Sequence, residues 1–138
     1  MDIVEDLDRI KDINEQDQNG NTLLHLSAKT GDIETIKECI RRKANLDLIN
    51  KNKQTALDIV AGHASDRRIS YQQHLSVEDI EITRLLVEAK ADANIGENNT
   101  ALNLAAKSGS YAAMKLLLPV TTKKDYNIQH ILKVIVFK

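Results

Sequence analysis

Four histidines and one cysteine are the side chains that could ligate a metal ion: His25, His63, His74, His130 and Cys39. In structural zinc sites, paired histidines lie about three to five residues apart. No two of these histidines have that spacing, and Cys39 lies far from all of them in the sequence. We therefore expect no metal site.

One triplet, Ser70, His74 and Asp79, has the residue types of a hydrolytic triad. A triad is defined by geometry, and nothing in this spacing brings the three side chains together. The sequence also lacks the glycine-rich patterns G-x-x-x-x-G-K-[ST] and G-x-G-x-x-G that cradle phosphates. These observations predict that the protein is not an enzyme and binds no cofactor.

The composition and charge of the chain exclude further classes. The 138 residues include 19 basic and 20 acidic side chains, with a formal net charge of −1, so the positive field that general nucleic-acid binding needs is missing. No apolar run approaches the roughly 18 residues of a membrane span, and the acidic start does not resemble a signal peptide. Cys39 has no second cysteine for an internal disulfide, which fits a reducing compartment. We expect a cytoplasmic protein without membrane or nucleic-acid partners.

The elements that would position any site recur along the chain. The segment around Thr22 returns at Thr55 and again at Thr100, and the second interval is longer than the first. Each threonine precedes an apolar run, where its hydroxyl can cap the free N–H groups of a helix. The sequence therefore predicts three equivalent helices that begin just after these threonines.

A second helix is predicted to follow each of these first helices, and Pro119 ends the last one. The apolar residues with helical spacing are Ile33, Ile36 and Ile40, then Ile82, Leu85 and Leu86, then Met114, Leu117 and Leu118. The offset from the first set to the second exceeds the interval from Thr22 to Thr55. We infer that the second repeat carries about 14 extra residues near 63–77.

This combination resembles the ankyrin-repeat family, in which a turn–helix–turn–helix unit has a period of about 33 residues. The family pattern is roughly D-x-x-G-x-T-P-L-H-x-A-A followed by G-x-x-E-[IV]-V-x-x-L-L. The first repeat matches it at Asp17, Gly20, Thr22, Leu24, His25, Ala28, Gly31, Glu34, Ile36 and Ile40. The resemblance implies an all-α solenoid of stacked helix–turn–helix units with an insertion in the second repeat.

The sequence departs from the family pattern at three kinds of position. Leu23, Ala56 and Ala101 stand where the family has proline. The family histidine occurs once, as His25, and Asp58 and Asn103 stand at its equivalents. The resemblance implies that His25 is structural, because its family counterpart hydrogen-bonds within the turn network. Lys43 and Lys90 replace the glycine after the second helix, which would cost about 1 kcal/mol each if those backbones are left-handed.

The repeat arithmetic divides the chain, which we interpret as a single domain over residues 1–138. The predicted parts are an N-terminal half-repeat cap at 1–16, repeat one at 17–49, repeat two at 50–95 with its insertion near 63–77, repeat three at 96–119, and a C-terminal cap or truncated repeat at 120–138.

The resemblance implies a scaffold, adaptor or inhibitor that binds another protein through its concave face. The candidate contact residues on turn tips and first helices are Asn19, Asn21, Lys29, Lys51, Asn52, Lys53, Gln54, Glu97, Asn98, Asn99 and Lys107. The insertion adds Arg67, Arg68 and Tyr71 as a second candidate contact. The alternative is that the insertion is a loop or a lengthened helix without a role.

Other interpretations stay open at this point. The chain could be a regulatory or targeting fragment of a larger enzyme whose active site lies elsewhere. Nucleic-acid binding through Arg67 and Arg68 is disfavoured by the near-neutral charge. Fifteen isoleucines, 11 asparagines and 13 lysines against 6 arginines are typical of an AT-rich genome, which fits a host-directed effector of an intracellular microbe acting in the host cytosol, a virus or a protist. We expect a monomer, with a homodimer through an end face as the alternative.

Overall fold

The computed structural model of the chain describes residues 12–66, 77–95, 100–108 and 110–121. The helices in these ranges are α1 (Leu23–Thr30), α2 (Ile33–Arg41), α3 (Ala56–Asp66), α4 (Val77–Glu88), α5 (Ala101–Ser108), α6 (Tyr111–Leu117) and a 3-10 helix (Leu118–Val120). None of the described residues forms a strand. The prediction of an all-α fold is confirmed.

The α-helices α1 to α6 stack in two layers. The first helices of the three units form one layer, in which α1 packs on α3 and α3 on α5. The second helices form the other layer, in which α2 packs on α4 and α4 on α6. Each first helix also packs against the second helix of its own unit, so the units form a solenoid.

An aliphatic core lies between the two layers. Its largest fully buried apolar side chains are Leu24, Ile36, Leu57, Ile82, Leu86, Leu102, Met114 and Leu117. Three alanines at equivalent positions of the first helices, Ala28, Ala61 and Ala106, are also buried and allow the helices to approach closely. Burial of one large aliphatic side chain stabilises the fold by about 1.5–3 kcal/mol. Because each unit buries its apolar side chains against the next one, this stabilisation depends on neighbouring units.

Leu118 has the helical spacing of Met114 and Leu117 but is more exposed than either of them. Helix α6 ends at Leu117, and the chain tightens into the 3-10 helix that contains Pro119. Leu118 caps the end of α6, and its backbone N–H donates to the carbonyl oxygen of Met114. Its side chain is 39% exposed.

The loops between units are joined by the same hydrogen bond twice. The Asn14 side-chain Oδ1 accepts the backbone N–H of Asn45 at 2.7 Å. The Asp47 Oδ1 accepts the backbone N–H of Asp92, also at 2.7 Å. Asn14 and Asp47 occupy equivalent positions of successive units, as do Thr22 and Thr55, so the repeat period sets these contacts as well as the helices.

Both lysines that replace the family glycine have left-handed backbones. Lys43 has φ +59° and Lys90 has φ +72°. The predicted cost required left-handed backbones at these positions. Each lysine therefore lowers the stability of the fold by about 1 kcal/mol relative to glycine.

Several parts of the predicted division lie outside the described residues. Helix α3 runs to Asp66 and α4 begins at Val77, so most of the predicted insertion falls between the described ranges and stays a prediction. The predicted caps fall largely within residues 1–11 and 122–138, which are also outside them. Over the described ranges, no helix combines the length and the apolar character needed to cross a bilayer.

Candidate functional site

Two different side chains close the N-termini of α1 and α3 in the same way. The backbone N–H of His25 donates to Thr22 Oγ1 at 3.3 Å, and the N–H of Thr22 donates to His25 Nδ1 at 3.0 Å. In the next unit, the N–H of Asp58 donates to Thr55 Oγ1 at 3.2 Å, and the N–H of Thr55 donates to Asp58 Oδ2 at 3.0 Å. Each pair is a reciprocal cap that satisfies two N–H groups otherwise left free.

The other ring nitrogen of His25 reaches the next unit. Its Nε2 lies 2.9 Å from the carbonyl oxygen of Gln54. Because Nδ1 accepts from Thr22, Nε2 carries the proton and donates it. The side chain is buried, and desolvation by burial lowers the pKa of His25 below its ordinary 6.5. His25 is therefore neutral near pH 7, with both nitrogens engaged.

Asp58 lies at the equivalent position with a different consequence. Its side chain is buried, and burial raises its pKa from the ordinary 3.8 to about 6, against the opposing effect of the hydrogen bonds from Thr55. A carboxyl group in this position changes its charge in mildly acidic solution.

The turns that precede α1 and α3 are built on one plan. Asp17 Oδ1 accepts the backbone N–H groups of Asn19 and Asn21, both at 2.9 Å. At the equivalent position of the next unit, Asn50 Oδ1 accepts those of Asn52 and Gln54 at 2.9 and 3.0 Å. Aspartate and asparagine favour such turns because their short side chains reach the backbone two residues on.

The fourth residue of each turn has a left-handed backbone. Gly20 has φ +76° in the first turn, and Lys53 has φ +59° in the second. At Gly20 a side chain is also excluded by space, because an added Cβ would lie 2.9 Å from the backbone nitrogen of Lys51. The two turns are therefore in close backbone contact.

Direct hydrogen bonds join the two turns. The backbone N–H of Lys51 donates to the carbonyl oxygen of Asn19 at 3.0 Å. The Asn50 side-chain amide donates to Asn21 Oδ1 at 2.9 Å and to Gln54 Oε1 at 3.3 Å. The turn tips are consequently held in register with one another.

A cleft of about 410 Å³ lies between these turns and the exposed side of the first helices. Its volume falls within the roughly 300–1,000 Å³ range of pockets that bind small ligands. The residues that line it are Asn21, His25, Leu26, Lys29, Asn50, Asn52, Gln54, Asp58, Ile59, Gly62 and Leu104. We call this surface the groove.

Three apolar side chains of the groove come from one position of the repeat. Leu26, Ile59 and Leu104 each lie four residues after the capping threonine of their helix. Leu26 is 41% exposed, and the other two are half-buried. Helices α1, α3 and α5 are neighbours in one layer, so the three side chains form an apolar row across the groove.

A second repeat position differs between the units. Lys29 on α1 and Lys107 on α5 are exposed lysines, whereas Gly62 stands at the equivalent position of α3. At this position the outer helices α1 and α5 therefore carry a long side chain, and the middle helix α3 carries none.

The predicted contact residues divide into three groups. Lys29 and Asn52 line the groove with exposed side chains, and Lys51, Lys53, Asn19 and Lys107 are exposed on the same turns and first helices. Asn21 and Gln54 also line it, but their side chains bond to Asn50. The predicted residues that lie outside the described part of the chain are Arg67, Arg68, Tyr71, Glu97, Asn98 and Asn99.

Sequence reasoning missed the apolar row and the glycine. It selected polar residues of the turns, because those look exposed in the sequence. The signal for Leu26, Ile59 and Leu104 was the repeat itself, since an apolar residue follows directly after His25, Asp58 and Asn103 in every unit. This position is easily overlooked because it lies beside core positions in the pattern.

The second-helix layer carries ion pairs. Glu38 on α2 pairs with Arg41 and Arg42, and Arg84 on α4 pairs with Glu81 and Glu88. These pairs lie within single helices or at their ends, where such contacts add a few tenths of a kcal/mol each.

The described residues offer no chemical centre of the kind considered from the sequence. Cys39 is fully buried, and desolvation raises the pKa of its thiol to about 11, so it carries no thiolate near neutrality. No cluster of three histidine, cysteine or acidic side chains in the described ranges is placed to hold a metal ion.

Comparison with known proteins agrees with the geometry. The family model "Ankyrin repeats (3 copies)" matches residues 1–69, which is half of the chain. The chain belongs to the ankyrin-repeat family. Ankyrin repeats are generally protein–protein interaction modules, and the family is typically non-enzymatic.

Similar curated proteins match one third of this ankyrin-repeat chain. It is 44% identical over 48 residues to ankyrin repeat domain-containing protein 37 of Homo sapiens, covering 35% of this chain and 30% of that protein. The Bos taurus protein of the same name is 42% identical over the same length, with the same coverage. Alpha-latroinsectotoxin-Lt1a of Latrodectus tredecimguttatus is 43% identical over 47 residues, which are 34% of this chain and 3% of the toxin. The matched segment thus spans less than one third of each relative.

Proposed function

We propose that this chain is a non-catalytic interaction module that binds one partner protein in the groove. The observation that carries the proposal is the apolar row of Leu26, Ile59 and Leu104 within a cleft of about 410 Å³. Protein interfaces have an apolar, well-packed centre and a polar rim. The groove combines both features, because the apolar row lines it together with Lys29 and the asparagines of the turns.

The rigidity of the groove supports the proposal. Hydrogen bonds fix the turns to one another and to the helices, as between His25 and Gln54 or between Asn50 and Asn21. A surface that is ordered before binding loses less conformational entropy on association. We therefore expect rigid-body docking with little rearrangement of the groove.

The predicted contact residues take different roles in this proposal. Lys29, Lys51, Asn52, Lys53 and Lys107 are exposed and act as rim contacts. Asn21 and Gln54 hold the turns first and touch the partner second. The insertion remains a proposed second contact through Arg67, Arg68 and Tyr71.

Other parts of the functional hypothesis stay predictions. The cytoplasmic location, the host-directed role and the monomeric state depend on composition and on the absence of sequence signals. Action as a scaffold, an adaptor or an inhibitor depends on the partner.

Affinity capture tests the proposal with two matched variants. Leu26→Gln removes an apolar side chain of the groove that is 41% exposed, and Leu118→Gln removes one that is 39% exposed on the 3-10 helix. Because the two side chains are buried to a similar extent, both substitutions are expected to cost similar stability, and Leu118→Gln controls for that cost. We expect wild type and Leu118→Gln to capture the same partner from a cytosolic lysate, and Leu26→Gln to lose it. Equal capture by all three proteins would refute the groove as the binding surface.

A further inference from the structure

The backbone at position 62 does not require glycine. Gly62 lies within α3, and glycine inside a helix costs about 1 kcal/mol relative to alanine. An added Cβ would lie 3.7 Å from Leu104 Cδ2, which is an ordinary contact. The fold therefore accommodates a Cβ here, and glycine weakens α3 while it leaves space in the groove.

That space is bounded by apolar groups. Ile59 lies one helical turn before Gly62 on α3, and Leu104 faces Gly62 from α5. We call the space above Gly62, between Ile59 and Leu104, the notch. Its apolar walls favour an apolar occupant, since burial stabilises by roughly 25 cal/mol per Å² of apolar surface.

Among the described residues that line the groove, the exposed charged side chain is that of Lys29. Lys29 lines the groove, and Lys51 and Lys53 flank the groove residue Asn52 on the same turn. The carboxylate of Asp58 is buried and receives the N–H of Thr55. Asp17, on the preceding turn, is exposed and accepts two backbone N–H groups. In the described part of the chain, Asp17 lies with Asp12 and Glu15 in a separate pocket beside Leu26, and the three lysines of the groove and its second turn complement a negatively charged segment.

We infer that the groove recognises a peptide segment of its partner that inserts one large apolar side chain, leucine, methionine or phenylalanine, into the notch and carries aspartate or glutamate beside it. This inference rests on the proposed function of the groove and adds the chemistry of the ligand. A buried apolar anchor surrounded by weaker polar contacts is the usual distribution of binding energy at an interface.

Selection from a random peptide library displayed on phage tests the inference. The bait is the full chain as wild type, with Gly62→Met to fill the notch and Gly62→Ala as the matched control. We expect wild type to enrich peptides that share a large apolar residue with an acidic residue within about three positions. Binding of one enriched synthetic peptide is expected to fall at least about tenfold for Gly62→Met and less than about threefold for Gly62→Ala.

Folding does not limit this experiment. Both substitutions replace a helical glycine, so both variants are expected to unfold at a urea concentration equal to or above that of wild type. A loss of peptide binding in a variant of unchanged stability then reports on the notch itself.

Each contrary outcome identifies which idea fails. Peptides that bind Gly62→Met as well as wild type but lose binding to Leu26→Gln overturn the notch and leave the proposed function standing. Peptides insensitive to both variants, or no enrichment at all, overturn the inference, and insensitivity to Leu26→Gln also contradicts the groove. Enrichment of basic rather than acidic neighbours overturns the charge assignment. Self-association of the wild type that disappears in Leu26→Gln identifies a second copy as the occupant and overturns the peptide.

Discussion

The imidazole Nε2 of His25 lies 2.9 Å from the carbonyl oxygen of Gln54, 29 residues further along the chain. This bond joins the first helix of one unit to the turn of the next. In repeat proteins, stability is approximately a sum of unit terms and nearest-neighbour interface terms. His25 contributes to both, because its Nδ1 also receives the N–H of Thr22 within its own unit.

Replacing His25 with alanine is therefore expected to destabilise the chain substantially. The loss of a helix cap and of a buried inter-unit bond lowers the free energy of unfolding by about 2–3 kcal/mol. Urea unfolding followed by helical circular dichroism measures this change. Lys29→Ala, on the exposed side of the same helix, is the control and is expected to change stability by about 0.5 kcal/mol or less. A His25→Ala protein as stable as that control would show that the bridge has no energetic role.

Asp58 is expected to make stability depend on pH. Because its folded pKa is raised from 3.8 to about 6, the folded state holds the proton more tightly than the unfolded state. The Asp58 contribution therefore decreases as the pH rises from about 4 to about 6. In Asp58→Asn this effect is absent, and asparagine occupies the equivalent position in α5 as Asn103.

The measurement is the difference in unfolding free energy between Asp58→Asn and wild type. We expect the difference to move in favour of Asp58→Asn by about 2–3 kcal/mol between pH 4 and 7, at about 1.4 kcal/mol per pKa unit. His25 acts in the opposite sense, since its lowered pKa gives stability that is present above pH 6.5 and lost as the pH falls through the folded value. His25 is unchanged in both proteins, so it cancels in the difference. A constant difference across this range would show that the pKa of Asp58 is not raised.

Lys53 and Gly20 occupy equivalent turn positions, and we expect opposite changes in stability when glycine is introduced at the first and removed at the second. Lys53→Gly places glycine at φ +59° and is expected to stabilise the chain by about 1 kcal/mol. Gly20→Ala introduces a Cβ at φ +76°, 2.9 Å from the backbone nitrogen of Lys51, and is expected to destabilise by about 1–3 kcal/mol. Thermal and urea unfolding of both variants measure these shifts. The turn geometry is contradicted if Lys53→Gly destabilises the chain or Gly20→Ala leaves it unchanged.

The repeat period predicted most of the fold. Thr22, Thr55 and Thr100 were identified as helix caps from their spacing, and each Oγ1 accepts an N–H three residues later. Lys43 and Lys90 have left-handed backbones for the same reason. The repeat fixes the conformation of the turn, and the residue at that position adopts it whether or not it is glycine. The spacing alone did not show that Leu118, at the end of α6, is 39% exposed.

The groove was predicted less well than the fold. The exposed turn residues Lys51, Asn52 and Lys53 were recognised, but the apolar row was not. A sequence pattern separates apolar from polar residues, whereas Leu26 is apolar and exposed because of the side of α1 on which it lies. The notch above Gly62 was also hidden, since it results from the packing of α3 against α5.

Charge reversal of Lys51 and Lys53 together is expected to weaken partner binding without unfolding the chain. Both side chains are exposed on the turn that carries Asn52, and rim charges act mainly on the association rate and its salt dependence. We expect Lys51→Glu/Lys53→Glu to weaken binding about tenfold at low salt and less at high salt. The control Lys37→Glu/Lys90→Glu reverses two exposed lysines, one on α2 and one in a left-handed turn. Equal affinities of the two double variants would contradict the role of the turn.

Site-specific photo-crosslinking tests the central proposal most directly, because it reports where the partner lies. A photoreactive residue replaces Lys29, which is exposed in the groove, or Lys37, which is exposed on α2. The two variants are irradiated with the captured partner under the same conditions. The groove model predicts a covalent adduct from position 29 and none from position 37. An adduct from position 37 alone would place the partner on the second-helix layer and contradict the proposed function of the groove.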